Sequence, residues 1–149
     1  MSIMKKSIAT GFAVLAFSAA SAAYASDAEV VAMHITFITK SNSNAQDPNL
    51  DVKIYNKQHE LVAENNPVPG TWENGSINSI SLDLKKPFNQ SDISGGSVEL
   101  DIHPAASQTW KFDYNISTTY SDNSLAWQRW NGKELSKDKP TLSDNLTGQ

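Results

Sequence analysis

Residues 97–116 read SVELDIHPAASQTWKFDYNI, and both halves of this stretch alternate between apolar and polar side chains. Val98, Leu100 and Ile102 are separated by Glu99 and Asp101. Trp110, Phe112, Tyr114 and Ile116 are separated by Lys111, Asp113 and Asn115. Strand side chains point to opposite faces in turn, whereas an amphipathic helix needs a period near 3.6. A chain built this way forms strands with one dry face and one wet face, the mark of antiparallel sheets. The same period runs through Met33, Ile35 and Phe37, through Val52 and Ile54, and through Ile80, Leu82 and Leu84. Weaker candidates lie at 60–63 and 126–130. Between these segments stand turn formers: SNSNAQDPN at 41–49, NNPVPG at 65–70, Asn74-Gly75, Lys86-Pro87 and Gly95-Gly96. The expected fold class is therefore all-β: a two-layer antiparallel β-sandwich of about eight strands.

The two ends of the chain depart from this pattern. Lys5 and Lys6 precede an apolar run over 8–20, and small residues follow, ending in Ala23-Tyr24-Ala25. That order is the pattern of a secretory signal peptide over 1–25. It predicts export, to the periplasm or to the medium. A β-sandwich domain is expected over 26–131. Residues 132–149 are polar, and the last ten read as a frayed tail.

Composition narrows function by exclusion. Cys is absent, which removes disulfides, thiolate metal sites and Cys nucleophiles. The formal net charge is −4, and Arg129 is the single arginine. Nucleic-acid affinity comes from neutralising phosphates, so no nucleic-acid partner is expected. Binding to anionic lipid by charge alone is disfavoured for the same reason.

The polar residues offer three kinds of candidate site. His34, His59 and His103 sit in separate segments with no zinc-protease spacing. The loop NSNAQDPNLD at 42–51 places Asp47, Asn49 and Asp51 at every second position, a candidate calcium site or an Asx-rich turn. Glu99, Asp101 and Asp113 would form a glycosidase-like carboxylate pair if they shared a sheet face, but alternating charges also mark any solvated strand. There is no G-x-S-x-G elbow and no phosphate-binding glycine loop, so no enzyme activity is expected. The aromatic residues offer more. Trp110 lies on the apolar side of its strand. Trp72 follows a Pro-Gly loop, and Trp127 and Trp130 are three apart, so on a strand they face opposite sides. Trp72, Trp127 and Trp130 are the candidate binding residues, for core filling or for contact with lipid or sugar.

The order of these motifs resembles the PLAT, or lipoxygenase homology, domain. HITFITK at 34–40 is similar to its first strand, and Asn49-Leu50-Asp51-Val52 stands where that family has D-A-D-V. Trp72-Glu73-Asn74-Gly75-Ser76-Ile77-Asn78 is similar to its F-E-x-G-S-x-D segment. VELDIH at 98–103 resembles the strand leading into H-D, and Trp110-Lys111-Phe112-Asp113-Tyr114 the tryptophan strand. Asn49 replaces the first loop aspartate and Pro104 the aspartate after His103, so two oxygen-ligand positions differ. The resemblance implies an eight-stranded sandwich that docks onto a lipid surface or a protein partner. A carbohydrate-binding or adhesin-like module and a periplasmic inhibitor are the alternatives. Oligomeric state is left open.

Overall fold

A computed structural model describes residues 27–41, 49–65, 72–103 and 109–147. The segment 1–25, expected to be a signal peptide, and Asp47 lie outside these residues. Among the described residues, nine strands and one helical turn follow in order: β1 (Val30–Thr39), β2 (Asn49–Tyr55), β3 (Leu61–Glu64), β4 (Ile77–Ser81), β5 (Asp83–Leu84), α1 (Gln90–Ile93), β6 (Ser97–His103), β7 (Trp110–Tyr120), β8 (Leu125–Leu135) and β9 (Thr141–Asn145). They form a four-stranded sheet in the order β4-β1-β7-β8 and a five-stranded sheet in the order β5-β3-β2-β6-β9. Every named pairing is antiparallel. The two open sheets make the expected β-sandwich.

Each alternating segment turns its apolar set inward. Met33, Ile35 and Phe37 of β1, Val52 and Ile54 of β2, Val98, Leu100 and Ile102 of β6, and Phe112, Tyr114 and Ile116 of β7 are all buried. Phe37 is the hub of an aromatic cluster, with ring centroids 5.4 Å from Trp72, 5.4 Å from Trp110, 5.8 Å from Phe112 and 5.9 Å from Tyr114. Large rings fill an intersheet space about 10 Å thick with few side chains. Among the described residues no buried side-chain nitrogen or oxygen lacks a hydrogen-bond partner.

The polar C-terminal segment differs from expectation. Rather than a frayed tail outside the domain, 132–135 complete β8, and 141–145 pair with β6 as an edge strand. Leu142 sits opposite Leu100 in that pairing. Asp144 occupies the next inward position, where it accepts hydrogen bonds from the Tyr114 hydroxyl (2.7 Å) and Lys133 Nζ (2.5 Å). The segment is held by a partly buried polar bridge between the two sheets, so its few leucines understate how firmly it is placed. Burial and the Asp144 carboxylate hold the Tyr114 phenol protonated well above the ordinary tyrosine range.

Candidate functional site

The outer face of the four-stranded sheet can be read in rows from its register. His34 of β1 lies opposite Ser81 of β4 and Ser117 of β7, and Ser117 lies opposite Trp127 of β8. Thr36 lies opposite Ser79 and Asn115, and Asn115 lies opposite Arg129. Ala32 lies opposite Thr119, which faces Leu125. This face is small and polar at its centre, carries Ile38 opposite the exposed Ile77 at one end, and is apolar at the β7–β8 hairpin end. There Val31, the extra residue of a bulge between Val30 and Ala32, is 52% exposed, Leu125 is 53% exposed and Trp127 is 57% exposed.

The hairpin itself is tightly built. Asn123 takes φ of +65°, a conformation asparagine tolerates better than most residues. Asp122 Oδ1 accepts from the Ser124 N–H (2.9 Å) and hydroxyl (2.5 Å). That closure aims Leu125 and, two residues on, Trp127 along one face. Trp130, three residues on, points to the other side and stacks on Tyr114 with centroids 4.7 Å apart and planes 14° apart.

Beyond Trp127 the β8 edge borders a cleft of ≈ 280 Å³ lined by Trp127, Gln128, Arg129, Trp130, Asn145 and Thr147. Gln128 ties its two walls together: its Nε2 donates to the Thr147 carbonyl (2.9 Å), and its Oε1 accepts from the Thr147 N–H (2.8 Å). Arg129 donates from Nε to Asn131 (2.8 Å) and more distantly from Nη2 to Asp113 (3.4 Å).

Asp113 anchors the part of β7 and β8 remote from the hairpin. It sits at a β8 bulge, where Gly132 takes φ of +65° and donates its N–H to Asp113 Oδ1 (2.8 Å). Lys40 Nζ reaches Asp113 Oδ2 at 2.6 Å. Burial works against the charge, but Lys40, the Gly132 N–H and Arg129 outweigh it and hold the carboxyl below its ordinary range. A carboxyl depressed on folding contributes stability that is present above its unfolded pKa, about 3.9, and is lost as pH falls through the lower folded value. Thermal melts are therefore expected to show a loss of stability below about pH 4 that is smaller in Asp113→Asn. An identical acid profile in both proteins would contradict this role.

The sequence-derived candidates separate cleanly. Trp127 and Trp130 border the cleft from opposite sides of β8, as their spacing requires. Trp72 does not join them: it is 1% exposed, with its ring 4.7 Å from that of Trp110 in the core, and is corrected from binding residue to core residue. Asn49 is exposed at the start of β2, and Asp51 faces outward two residues on, directly opposite Asp101. His103 Nε2 bridges those two carboxylates, 3.3 Å from Asp51 and 3.0 Å from Asp101. Calcium takes six to eight oxygen ligands. Among the described residues, no group of three or more His, Asp or Glu side chains is placed to hold a metal, and Asp47 lies outside them.

Asp101 and Asp113 lie on different sheets, so the carboxylate pair weighed from the sequence is not assembled. Arg129, Gln128, Asn145 and Thr147 escaped the sequence reading. The only available signal was the position of the lone arginine between two tryptophans. Neither a family model, nor a curated protein, nor a solved structure matches the chain.

Proposed function

We propose that this chain is an exported, non-catalytic binding module, PLAT-like in its motif order, that docks onto a lipid surface through the β7–β8 end of its four-stranded sheet. The observation that carries the reading is the grouping of Val31, Leu125 and Trp127, each more than half exposed, at one end of one sheet face. Indole rings favour the membrane–water interface, where the ring is wetted at one end and buried at the other. Full burial of a large apolar side chain contributes about 1.5–3 kcal/mol. These three are already partly covered, so together they supply on the order of 3 kcal/mol, a weak and reversible docking. Asp122 lies in the hairpin, and Glu29 just before β1 stands near Lys85 and Lys86, which are themselves paired with Glu64 and Glu60, so that end offers no excess positive charge to anionic lipid. Docking is therefore expected on zwitterionic bilayers, with little dependence on salt.

Co-sedimentation with phosphatidylcholine vesicles tests this. Wild-type protein is expected to pellet with vesicles equally in calcium and in chelator. The double variant Leu125→Ser/Trp127→Ser is expected to partition about tenfold less, which corresponds to roughly 1.4 kcal/mol. Both residues are exposed, so the thermal melt of that variant stays near the parent's. Equal pelleting of the two proteins, or none by wild type, would remove the lipid reading. Retention of wild type on envelope proteins would then favour the protein-partner form.

A further inference from the structure

We infer that the cleft between β8 and the C-terminal segment binds a sugar ring carrying a carboxylate. This inference rests on reading the β8 end as the working surface and names what that surface would recognise. The cleft walls hold two indoles, a guanidinium, two amides and a hydroxyl, and among the described residues no carboxylate lines it. An indole offers a flat apolar face to the C–H side of a pyranose ring and an N–H at its edge. Arginine and asparagine present planar, paired hydrogen-bonding groups that match a carboxylate or adjacent hydroxyls. At ≈ 280 Å³ the cleft lies near the lower end of small-ligand sites, about 300–1,000 Å³, which suits one ring rather than a long buried chain.

Charge sets the choice between neutral and acidic sugars. Asp113 faces two cations, Lys40 at 2.6 Å and Arg129 at 3.4 Å, so one positive charge is left over at the cleft edge. Lys133 is matched by Asp144 and adds none. Arg129 is the more loosely held of the two partners of Asp113, and Lys40 continues to neutralise that carboxylate when Arg129 turns to a ligand. The acidic groups Asp51, Glu99 and Asp101 lie on the outer face of the other sheet, away from the cleft. The Gln128 clasp uses both its amide atoms on Thr147, so it shapes the wall while Arg129 and Asn145 are left to read the ligand.

The probes are methyl glucuronide and methyl glucoside, titrated into the full chain and followed by calorimetry and tryptophan fluorescence. The glucuronide is expected to bind at least tenfold more tightly than the glucoside. Arg129→Gln is expected to erase that preference, and Trp127→Ala to weaken both sugars at least tenfold, each with a melt close to the parent's. Binding of neither sugar, equal binding of both, or a preference that survives Arg129→Gln would overturn the inference. Should Arg129→Gln fold poorly, the glucuronide preference of the wild type and the loss in Trp127→Ala still decide it. Vesicles of phosphatidylcholine with and without a glucuronyl diacylglycerol identify the source. Enhanced pelleting that free glucuronide competes away assigns a lipid headgroup. Binding of free glucuronide without enhancement assigns a soluble polysaccharide, and both support the cleft. Plain phosphatidylcholine carries no sugar, so failure of docking and failure of the cleft are read in separate arms.

Discussion

Leu100→Asp is expected to abolish cooperative folding. Leu100 is fully buried on β6, with Val52 of β2 opposite it on one side and Leu142 of β9 on the other. Truncating a buried leucine alone costs about 2–5 kcal/mol. An aspartate there would also bury a carboxyl group with no designed partner, at a cost of several kcal/mol more. A domain of this size has about 5–15 kcal/mol in total, so the sum removes most or all of it. The neighbouring change Glu99→Ala touches the wetted face of the same strand and is expected to shift stability by less than about 0.5 kcal/mol. Circular dichroism melts of the two variants check the contrast. A cooperative Leu100→Asp transition near the parent's would mean that β6 does not face the core.

Gly96→Ala is expected to cost about 3 kcal/mol, although it adds a single methyl group. A Cβ at this position would stand 2.2 Å from the Tyr55 carbonyl oxygen, 3.0 Å from the Ile93 carbonyl oxygen and 3.2 Å from the Asn56 carbonyl carbon. All three are backbone atoms, which cannot rotate out of the way. Gly96 also donates its N–H to Ile93 (2.8 Å) and accepts from the Leu146 N–H (2.9 Å), so moving it disturbs the α1–β6 turn and the C-terminal segment together. Gly75→Ala provides the comparison. Its φ of +76° is strained for alanine, but nothing lies within 4 Å, so about 1 kcal/mol is expected. Urea unfolding of the two variants separates crowding from backbone conformation. A Gly96→Ala midpoint no lower than that of Gly75→Ala would contradict the close approach.

How much of this was legible in the sequence follows from where each strand's information lies. β1, β2, β6 and β7 announce themselves because each carries three or more contiguous alternations, a local signal. β8 was seen only over 126–130. Its inward positions include Ala126, Gln128 and Lys133, and the bulge at Gly132 breaks the period there. β9 was missed because one of its inward residues is Asp144, whose burial makes sense only once Tyr114 and Lys133 arrive from the other sheet. α1 is a single turn, too short to show a helical period.

The candidate site was half legible for the same reason. Three-residue spacing placed Trp127 and Trp130 on opposite sides of a strand. The burial of Trp72, by contrast, depends on Phe37 and Trp110, whose distance in sequence hides the contact. Asn145 and Thr147 reach the cleft from the opposite sheet and carry no local signature. The separation of Asp101 from Asp113 is likewise a property of strand order, which alternation alone does not encode.

Depth-resolved fluorescence tests whether the hairpin end of the four-stranded sheet is the docking surface. The protein would be mixed with phosphatidylcholine vesicles carrying bromine near the top of the acyl chains, and tryptophan emission recorded for wild type and Trp127→Phe. Trp72 and Trp110 are sealed in the core and Trp130 is partly buried against Tyr114, so the expected result is quenching in wild type that falls sharply in Trp127→Phe. Absence of quenching, or quenching of equal depth in the two proteins, would contradict the account.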